Sequence, residues 1–407
     1  MLRFIRFLKK YDVNRHNRVM QFSIYFFLWA IAFSLFDYFA PLYLENLGLS
    51  YFKIGIILSG SSFISFFIDP FLGQLQKKFP AKTLLLSSIF LFVLNIILFI
   101  KSGNLFFILF LATNIYGVAF DLFSITSYTK VFENSIEKDR STNISFFESF
   151  YSLGLLIGAL IVGFVASSNL NNIPYLCFLV LIFLFFVILF AKKEKMDVTD
   201  NFSIIESYKK TLNQFKFMGR GGLILVFALI FIHLFDGFFF IFEPIFAQKF
   251  QGYFLDEFII GGILLAVYTL PIILFEPKFG KLEDKYGRKK FLFLGFSLGA
   301  VSLFLLRFFD GVFMSGLFIF LSSLGFFAMA LPAVEGMYES ITEKKFGKNY
   351  RGYSVSIMEL TLSVGFLLGP FLGGIMLSMP DGFNFAFKIF SYVTLGIMLL
   401  ISFFVDV

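Results

Sequence analysis

Twelve long apolar stretches constrain the fold of this chain more than any other feature of its sequence. A helix that crosses the hydrocarbon core of a membrane, about 30 Å thick, needs about 20 apolar residues. Only 15% of the 407 residues are charged and 58% are hydrophobic, whereas a soluble chain has about a quarter of its residues charged. An ordinary soluble enzyme is therefore excluded. The predicted spans are residues 20–44, 53–76, 82–101, 104–130, 141–167, 173–191, 222–248, 258–279, 289–309, 311–340, 351–379 and 385–405.

These spans are predicted to be helices, because a backbone exposed to lipid must satisfy its own hydrogen bonds. The fold class is then an all-α polytopic membrane protein with twelve transmembrane helices. The net charge of +7 could suggest a nucleic-acid partner, but no polar stretch is long enough to form a basic water-facing domain. One cysteine and two histidines argue against a metal centre, and we expect no metal and no cofactor.

The basic residues are distributed unevenly between the two sides that an even number of crossings creates. Of the 34 Lys and Arg residues, 29 fall on the side of both termini, and the other side has Lys53, Lys101, Lys249, Arg307 and Lys388. The positive-inside rule places the Lys- and Arg-rich side in the cytoplasm. We therefore predict a protein of the inner (cytoplasmic) membrane with both termini in the cytoplasm.

The second half of the chain repeats patterns of the first. Residues 68–73 are echoed by 275–280 at an offset of 207, which also relates Gly55 to Gly262. A second offset, 211, relates Arg140, Ser145, Glu148, Ser152, Gly154, Gly158 and Gly163 to Arg351, Ser356, Glu359, Ser363, Gly365, Gly369 and Gly374. Shared apolar composition does not explain such matches, since they are polar residues and glycines. We predict two six-helix halves, residues 1–191 and 222–407.

The segment between the halves, residues 192–221, carries seven basic and four acidic residues. Its apolar residues recur at helical spacing: Ile204, Ile205, Tyr208, Leu212 and Phe215. This pattern is typical of an amphipathic helix that lies on the inner membrane surface and contacts anionic lipid. A purely structural linker is the alternative.

The most specific motif lies between spans eight and nine, in residues 280–290. Its sequence, GKLEDKYGRKK, resembles G-x-L-x-D-[RK]-x-G-R-[RK], the signature of the major facilitator superfamily. The resemblance implies a secondary transporter with two pseudo-symmetric halves and no enzymatic activity. The first-half copy, residues 73–82, departs from the signature because Lys77 stands in place of the Asp and Pro80 in place of the second Gly.

The same resemblance implies a cytoplasmic gate. In this superfamily the loop motif packs against the start of an equivalent helix in the other half, here span five. We expect Asp284 to stabilise the N-terminus of that helix and to pair with Arg140, and Arg288 to meet Glu339 in span ten. The glycines permit a tight reversal of the chain. The predicted gate residues are Gly280, Asp284, Gly287, Arg288, Arg140, Glu339 and Arg351, with the contact near Arg351 missing or replaced because of Lys77.

Span eleven contains a glycine-proline motif in residues 365–374. It resembles the G-x-x-x-G-P-x-x-G-G motif that drug and proton antiporters of the superfamily carry in the fifth helix, whereas span five of this chain lacks the proline. Small residues four apart also let any two membrane helices approach closely, so a packing role is the alternative. The motif residues are Gly365, Gly369, Pro370, Gly373 and Gly374.

Ionisable residues inside the spans are the candidates for binding substrate and protons, because each costs about 2.5–3.5 kcal/mol at a helix centre. Asp37 in span one and Asp236 in span seven lie at equivalent depths of the two halves. The superfamily fold places spans one, four, seven and ten around a central cavity. The further candidates are Asp121, Glu335, the repeat-related pair Glu148 and Glu359, and His233. For each carboxylate, the alternative is a neutral structural group bonded to a nearby Tyr, Ser or Asn.

Two classes of function compete at this point. The first is a secondary transporter, since no nucleotide-binding or hydrolase motif is found. Within it, proton-coupled efflux of lipophilic or cationic compounds is the leading interpretation, and import of a sugar or other nutrient is the alternative, based on Glu339 followed by Arg351 and Gly352. The second class is a polytopic lipid-modifying enzyme or a receptor. The expected partners are a small-molecule substrate, protons and lipids, with the chain as a monomer.

Overall fold

The computed structural model describes residues 13–135, 140–191, 219–346 and 351–405. Over these ranges the chain is helical apart from short connections, and twelve helices are long and apolar enough to cross a membrane. The predicted all-α fold with twelve spans is therefore confirmed. Most of the predicted linker, residues 192–218, lies outside the described part of the chain, as does its predicted amphipathic helix.

The helices of the first half are α1 (Val13–Asn46), α2 (Tyr51–Lys78), α3 (Ala81–Lys101), α4 (Phe106–Glu133), α5 (Arg140–Ser168) and α6 (Ile173–Leu189). Those of the second half are α7 (Gly219–Ala247), α8 (Glu257–Tyr286), α9 (Arg288–Leu306), α10, α11 (Arg351–Leu377) and α12 (Gly382–Phe404). The tenth span, α10, consists of Val312–Ser323, a π-helical segment Leu324–Ala330, and Leu331–Phe346. Short 3₁₀ turns, Leu170–Asn172 and Gln248–Phe250, precede α6 and follow α7.

Glycines set the packing inside each half in the same way. Gly154 and Gly158 of α5 face α1, and Gly365 and Gly369 of α11 face α7. A Cβ atom at any of these four positions would lie closer than 3.0 Å to an atom of the neighbouring helix. The span-eleven motif thus serves close helix packing in this structure, and its repeat-related glycines in α5 do the same.

Two equivalent seams join the halves near the predicted outer face. Gly55 of α2 packs against Gly374 of α11, and Gly163 of α5 packs against Gly262 of α8. We call these four residues the seam glycines. A side chain at Gly55 would collide with the carbonyl of Pro370, and one at Gly262 with the carbonyl of Ala159. The halves therefore meet backbone to backbone at these ends.

Polar contacts also join the halves at the predicted outer face. The side-chain amide of Gln248, just after α7, donates to Oε2 of Glu45 in α1 at 2.5 Å. Within the first half, the hydroxyl of Tyr51 in α2 donates to Oε1 of the same Glu45 at 3.0 Å and so holds this carboxylate in place. Deeper in, the hydroxyl of Tyr38 in α1 donates to the carbonyl of Phe258 in α8 at 2.8 Å. In this conformation the predicted outer ends of the two halves are held together.

Candidate functional site

The first-half part of the candidate site is formed by Asp37 of α1. Its carboxylate accepts a 2.7 Å hydrogen bond from the hydroxyl of Tyr116 in α4, and only 5% of Asp37 is exposed. The ring of Tyr116 packs against those of Phe33, Phe36 and Phe92, with centroids 4.7–5.5 Å apart. The tyrosine that bonds to the carboxylate of Asp37 is thus itself held among aromatic rings.

The second-half part is formed by Asp236 of α7 in a parallel manner. The hydroxyl of Tyr268 in α8 donates to its carboxylate at 2.7 Å, and Asp236 is partly exposed. The ring of Tyr268 packs between Phe239 of α7 and Phe327 of the π-helical segment. Ser323, the residue just before that segment, donates to the backbone carbonyl of Tyr268 at 2.5 Å. The π-helical segment therefore fixes the tyrosine that holds Asp236.

The two aspartates share one central region of the molecule. Tyr151 of α5 lies within electrostatic range of both Asp37 and Asp236. Around it, the rings of Phe33 and Phe120 pack 4.7 Å apart, and Phe33 also meets Phe240 of the other half at 6.4 Å. Phe33, Phe120 and Tyr151 remain partly exposed at this depth. The centre therefore combines two carboxylates with accessible aromatic surface.

Of the other four predicted carboxylates, the structure describes the side chains of three. Asp121 of α4 and Glu335 of α10 are partly exposed. Glu148 of α5 accepts a 3.3 Å hydrogen bond from the hydroxyl of Tyr128, and it acts electrostatically across the halves on Glu276 of α8. The side chain of Glu359 lies outside the described part of the structure.

His233 lies on α7 at its contact with α11, where a Cβ added to Gly365 would meet it. Only 7% of the histidine is exposed. His233 therefore lies in the interface between these two helices, and its predicted role in binding protons stays a prediction. Among the described residues, no group of three or more His, Cys, Asp or Glu could hold a metal ion.

The predicted gate is described only in part. The turn between α8 and α9 is made by Gly287, whose φ of 98° is in the left-handed region that favours glycine. Arg288 reaches α10, where it donates to the carbonyl of Gly336 and, at 2.9 Å, to the hydroxyl of Ser340. These acceptors flank Glu339 along the helix, and the Arg288–Glu339 contact stays a prediction. Gly280 lies within α8, with no atom of another helix near its missing Cβ.

The predicted cross-half contact at the gate rests on side chains that the structure does not describe, Asp284, Arg140 and Arg351. It stays a prediction, together with the replacement expected near Arg351.

Sequence reasoning missed four residues that the structure places at or near the site: Tyr116, Tyr151, Tyr268 and Glu243. The tyrosines are distant in sequence from the aspartates they serve, so only the fold reveals them. Glu243 is an intramembrane carboxylate within predicted span seven, and the same cost argument that singled out Asp236 could have found it.

Comparison with known proteins agrees with this architecture. The family model described as "Major Facilitator Superfamily" matches residues 20–261 and 225–407. The chain is 24% identical over 388 residues to "Multidrug resistance protein MdtG" of Escherichia coli O17:K52:H18, covering 92% of this chain and 90% of that protein. It is 23% identical over 384 residues to "Quinolone resistance protein NorA" of Staphylococcus aureus (strain Mu50 / ATCC 700699), covering 89% and 90%.

Two further likenesses are more limited. The chain is 29% identical to "Tetracycline resistance protein, class H" of Pasteurella multocida over 142 residues, which are 35% of this chain and 34% of that protein. Among solved structures, the nucleoside transporter NupG matches with a TM-score of 0.78 at 14% identity, covering 95% of this chain and 98% of that one. At this identity the structural likeness shows the fold alone.

Proposed function

Because the chain belongs to the Major Facilitator Superfamily, whose members are membrane transporters and not enzymes, we propose that it is a secondary transporter driven by protons. Its proposed substrates are lipophilic or cationic compounds, which it exports. The lipid-modifying enzyme and the receptor are set aside by this membership.

One observation carries the proposal: each half places a tyrosine-bonded aspartate toward the same central tyrosine, Tyr151. Carboxylates attract cations, and aromatic faces bind them as well. The rings of Phe33, Phe120 and Phe240 add apolar surface for a lipophilic body. A carboxylate whose access to water changes between two conformations is also suited to take up and release a proton.

The names of the relatives favour export over import. Three of them are called resistance proteins, toward several drugs, quinolones and tetracycline. Resistance to a compound is what removal of that compound from a cell produces. The closed outer ends seen here correspond to one end state of an alternating-access cycle around the central aspartates.

We further propose an inner-membrane, monomeric protein with both termini in the cytoplasm. The excess of basic residues on the side of the termini supports this orientation. Large apolar side chains lie exposed on the outside of the bundle, as contact with lipid tails requires; examples within the helices are Phe90, Phe164 and Leu179, which are 60–66% exposed.

The functional test measures how much of a lipophilic cation, tetraphenylphosphonium, accumulates in cells with and without the protein. We expect less accumulation in cells that contain it, and a protonophore should abolish the difference. The matched control is the same protein with both Asp37→Asn and Asp236→Asn. Protein-dependent uptake of a sugar, with no effect on the cation, would instead support the importer.

The orientation has its own expected result. A protease site inserted within residues 192–221 should be cut in inverted membrane vesicles and resist protease added to intact spheroplasts. A second site placed in residues 251–256, between α7 and α8, should show the reverse. Cleavage of the first site in intact spheroplasts would overturn the assignment of sides.

A further inference from the structure

Glu243 of α7 is a buried carboxylate that takes no part in the proposed central site. It is 0% exposed, and neither of its oxygens has a hydrogen-bond partner within the described part of the chain. It lies seven residues beyond Asp236, which is about two helical turns toward the predicted outer face on the same side of α7. Asp236, in contrast, accepts a hydrogen bond from the hydroxyl of Tyr268.

Glu243 lies where three helices from both halves converge. Tyr38 of α1 is within electrostatic range of Glu243, and its hydroxyl donates to the carbonyl of Phe258 in α8. One turn further out, Ala247 of α7 meets Gly261 of α8, and the hydroxyl of Tyr38 lies against the same glycine. We call this contact of α1, α7 and α8 the outer junction. It closes only when the two halves come together.

Within the part of the chain that the structure describes, the charged and titratable groups around the outer junction offer no compensation for an anion. Asp256, just before α8, and Glu257, its first residue, act on the same Tyr38 and are acidic. From the inner side come Asp236 and Tyr268, which bond to each other.

The one basic group nearby on α7 is directed elsewhere. The ammonium of Lys249 lies 4.3 Å from the ring centre of Phe246 and 5.0 Å from that of Phe250. Phe246 in turn packs against Phe383 and Phe387 of α12, and the carboxylate that acts electrostatically on Lys249 is that of Asp310. This cation therefore does not neutralise Glu243.

A carboxylate buried without a hydrogen bond or a cation is strongly disfavoured in its charged form, and such groups bind a proton instead. The conformation with closed outer ends therefore requires Glu243 to be a neutral acid. Once the outer junction opens, water reaches the group and the charged form becomes acceptable. Closure of the junction and protonation of Glu243 are then linked.

We propose that Glu243 is a proton-binding site of the outer junction, and that the bound proton keeps the outer ends closed. The proposal rests on the alternating-access function proposed above and extends it, since this proton site is separate from the central aspartates. By linkage, a rise in pH shifts the protein toward the outward-open conformation by up to about tenfold per pH unit.

The experiment follows opening of the junction in lipid nanodiscs, where both faces meet the same buffer. Leu44 of α1, which is 0% exposed near the outer end, is replaced by cysteine in a Cys177→Ser background. Its maleimide labelling rate is measured from about pH 5 to 9. Each rate is divided by that of the same cysteine in Glu243→Gln protein, which removes the pH dependence of the thiol chemistry itself.

We expect this ratio to rise with pH by up to about tenfold per unit, because glutamine mimics the protonated acid and stays closed. Glu243→Asp should keep a pH response. The control Glu257→Gln removes an acidic group from the same junction and should behave as the unsubstituted protein does. A ratio that is flat with pH, or a glutamine variant that opens more readily, overturns the proposal.

A second measurement needs no variant at Glu243. Dicyclohexylcarbodiimide is an apolar reagent that adds to protonated buried carboxyl groups and leaves an N-acylurea detectable by mass spectrometry. We expect an adduct on Glu243 that declines as the pH rises, and its absence at every pH would overturn the proposal. Proton-driven transport that survives Asp37→Asn and Asp236→Asn would contradict the proposed central site and leave this result untouched.

Discussion

Replacing Asp37 or Asp236 with asparagine should abolish proton-driven movement of substrate while leaving the protein folded. Asparagine keeps the shape and can still accept the tyrosine hydrogen bond, but it cannot take up or release a proton. One proton exchanged for one uncharged substrate sustains about a tenfold concentration ratio per pH unit, equivalent to about 1.4 kcal/mol. In proteoliposomes with an imposed pH gradient, each variant should therefore bring this ratio close to one.

Replacing the tyrosines that bond to the aspartates should reduce transport by a smaller but measurable amount. Tyr116→Phe and Tyr268→Phe each remove a hydrogen bond to a carboxylate, which is worth about 1.5–3 kcal/mol. We expect transport to fall by about tenfold to a hundredfold and its pH profile to shift. Tyr43→Phe is the matched control, because Tyr43 bonds to the Ile100 carbonyl at the exposed end of α1. Its transport should be unchanged.

Two results would show that Asp37 and Asp236 have a structural role and do not bind protons or substrate. The first is unchanged coupling in both asparagine variants at normal protein levels. The second is loss of folded protein in both, with no transport defect in the phenylalanine variants. A defect in one half only would indicate that the halves divide the binding of substrate and of protons between Asp37 and Asp236.

The sequence contains enough to predict the span order and the duplication, because both depend on local composition and on spacing. The offsets of 207 and 211 identify Gly55 with Gly262 and Gly163 with Gly374 as equivalent positions. The sequence does not say which of these glycines touch. In the structure the glycines that touch are not the repeat-related ones, since Gly55 contacts Gly374 and Gly163 contacts Gly262. Helix order around the bundle decides this, and it is a property of the tertiary fold.

The candidate site was predictable only in its charged members. An aspartate inside an apolar span can be recognised from the sequence, because a charged residue has a high free-energy cost in the membrane. The tyrosine that bonds to it cannot be recognised in this way, since Tyr116 lies 79 residues from Asp37 and resembles the many other aromatic residues of the chain. The π-helical segment that supports Tyr268 was missed for a similar reason. It occurs where Gly325 of α10 packs closely on Gly295 of α9, a contact between helices rather than a local pattern.

The seam glycines support the second large prediction, which concerns closure of the outer ends. Gly262→Leu or Gly55→Leu puts a side chain where the backbone of the opposite half now lies. Overpacking of this kind costs about 1–3 kcal/mol. In a carrier whose two states differ by a few kcal/mol, this is enough to shift the population toward the outward-open state by about tenfold. Transport should fall, and labelling at the Leu44→Cys position should rise.

The chain offers two matched controls for this test. Gly396→Leu changes a glycine of α12 that has open space around its missing Cβ, so neither folding nor labelling should change. Gly365→Leu overpacks α11 against α7 inside one half, so it should lower the amount of folded protein without favouring the outward-open state. Glu243→Gln should move the labelling in the opposite direction from Gly262→Leu. Equal labelling in Gly262→Leu and Gly396→Leu proteins would mean that the seams do not govern closure, because a gate formed by backbone contact cannot tolerate a leucine at its closest point.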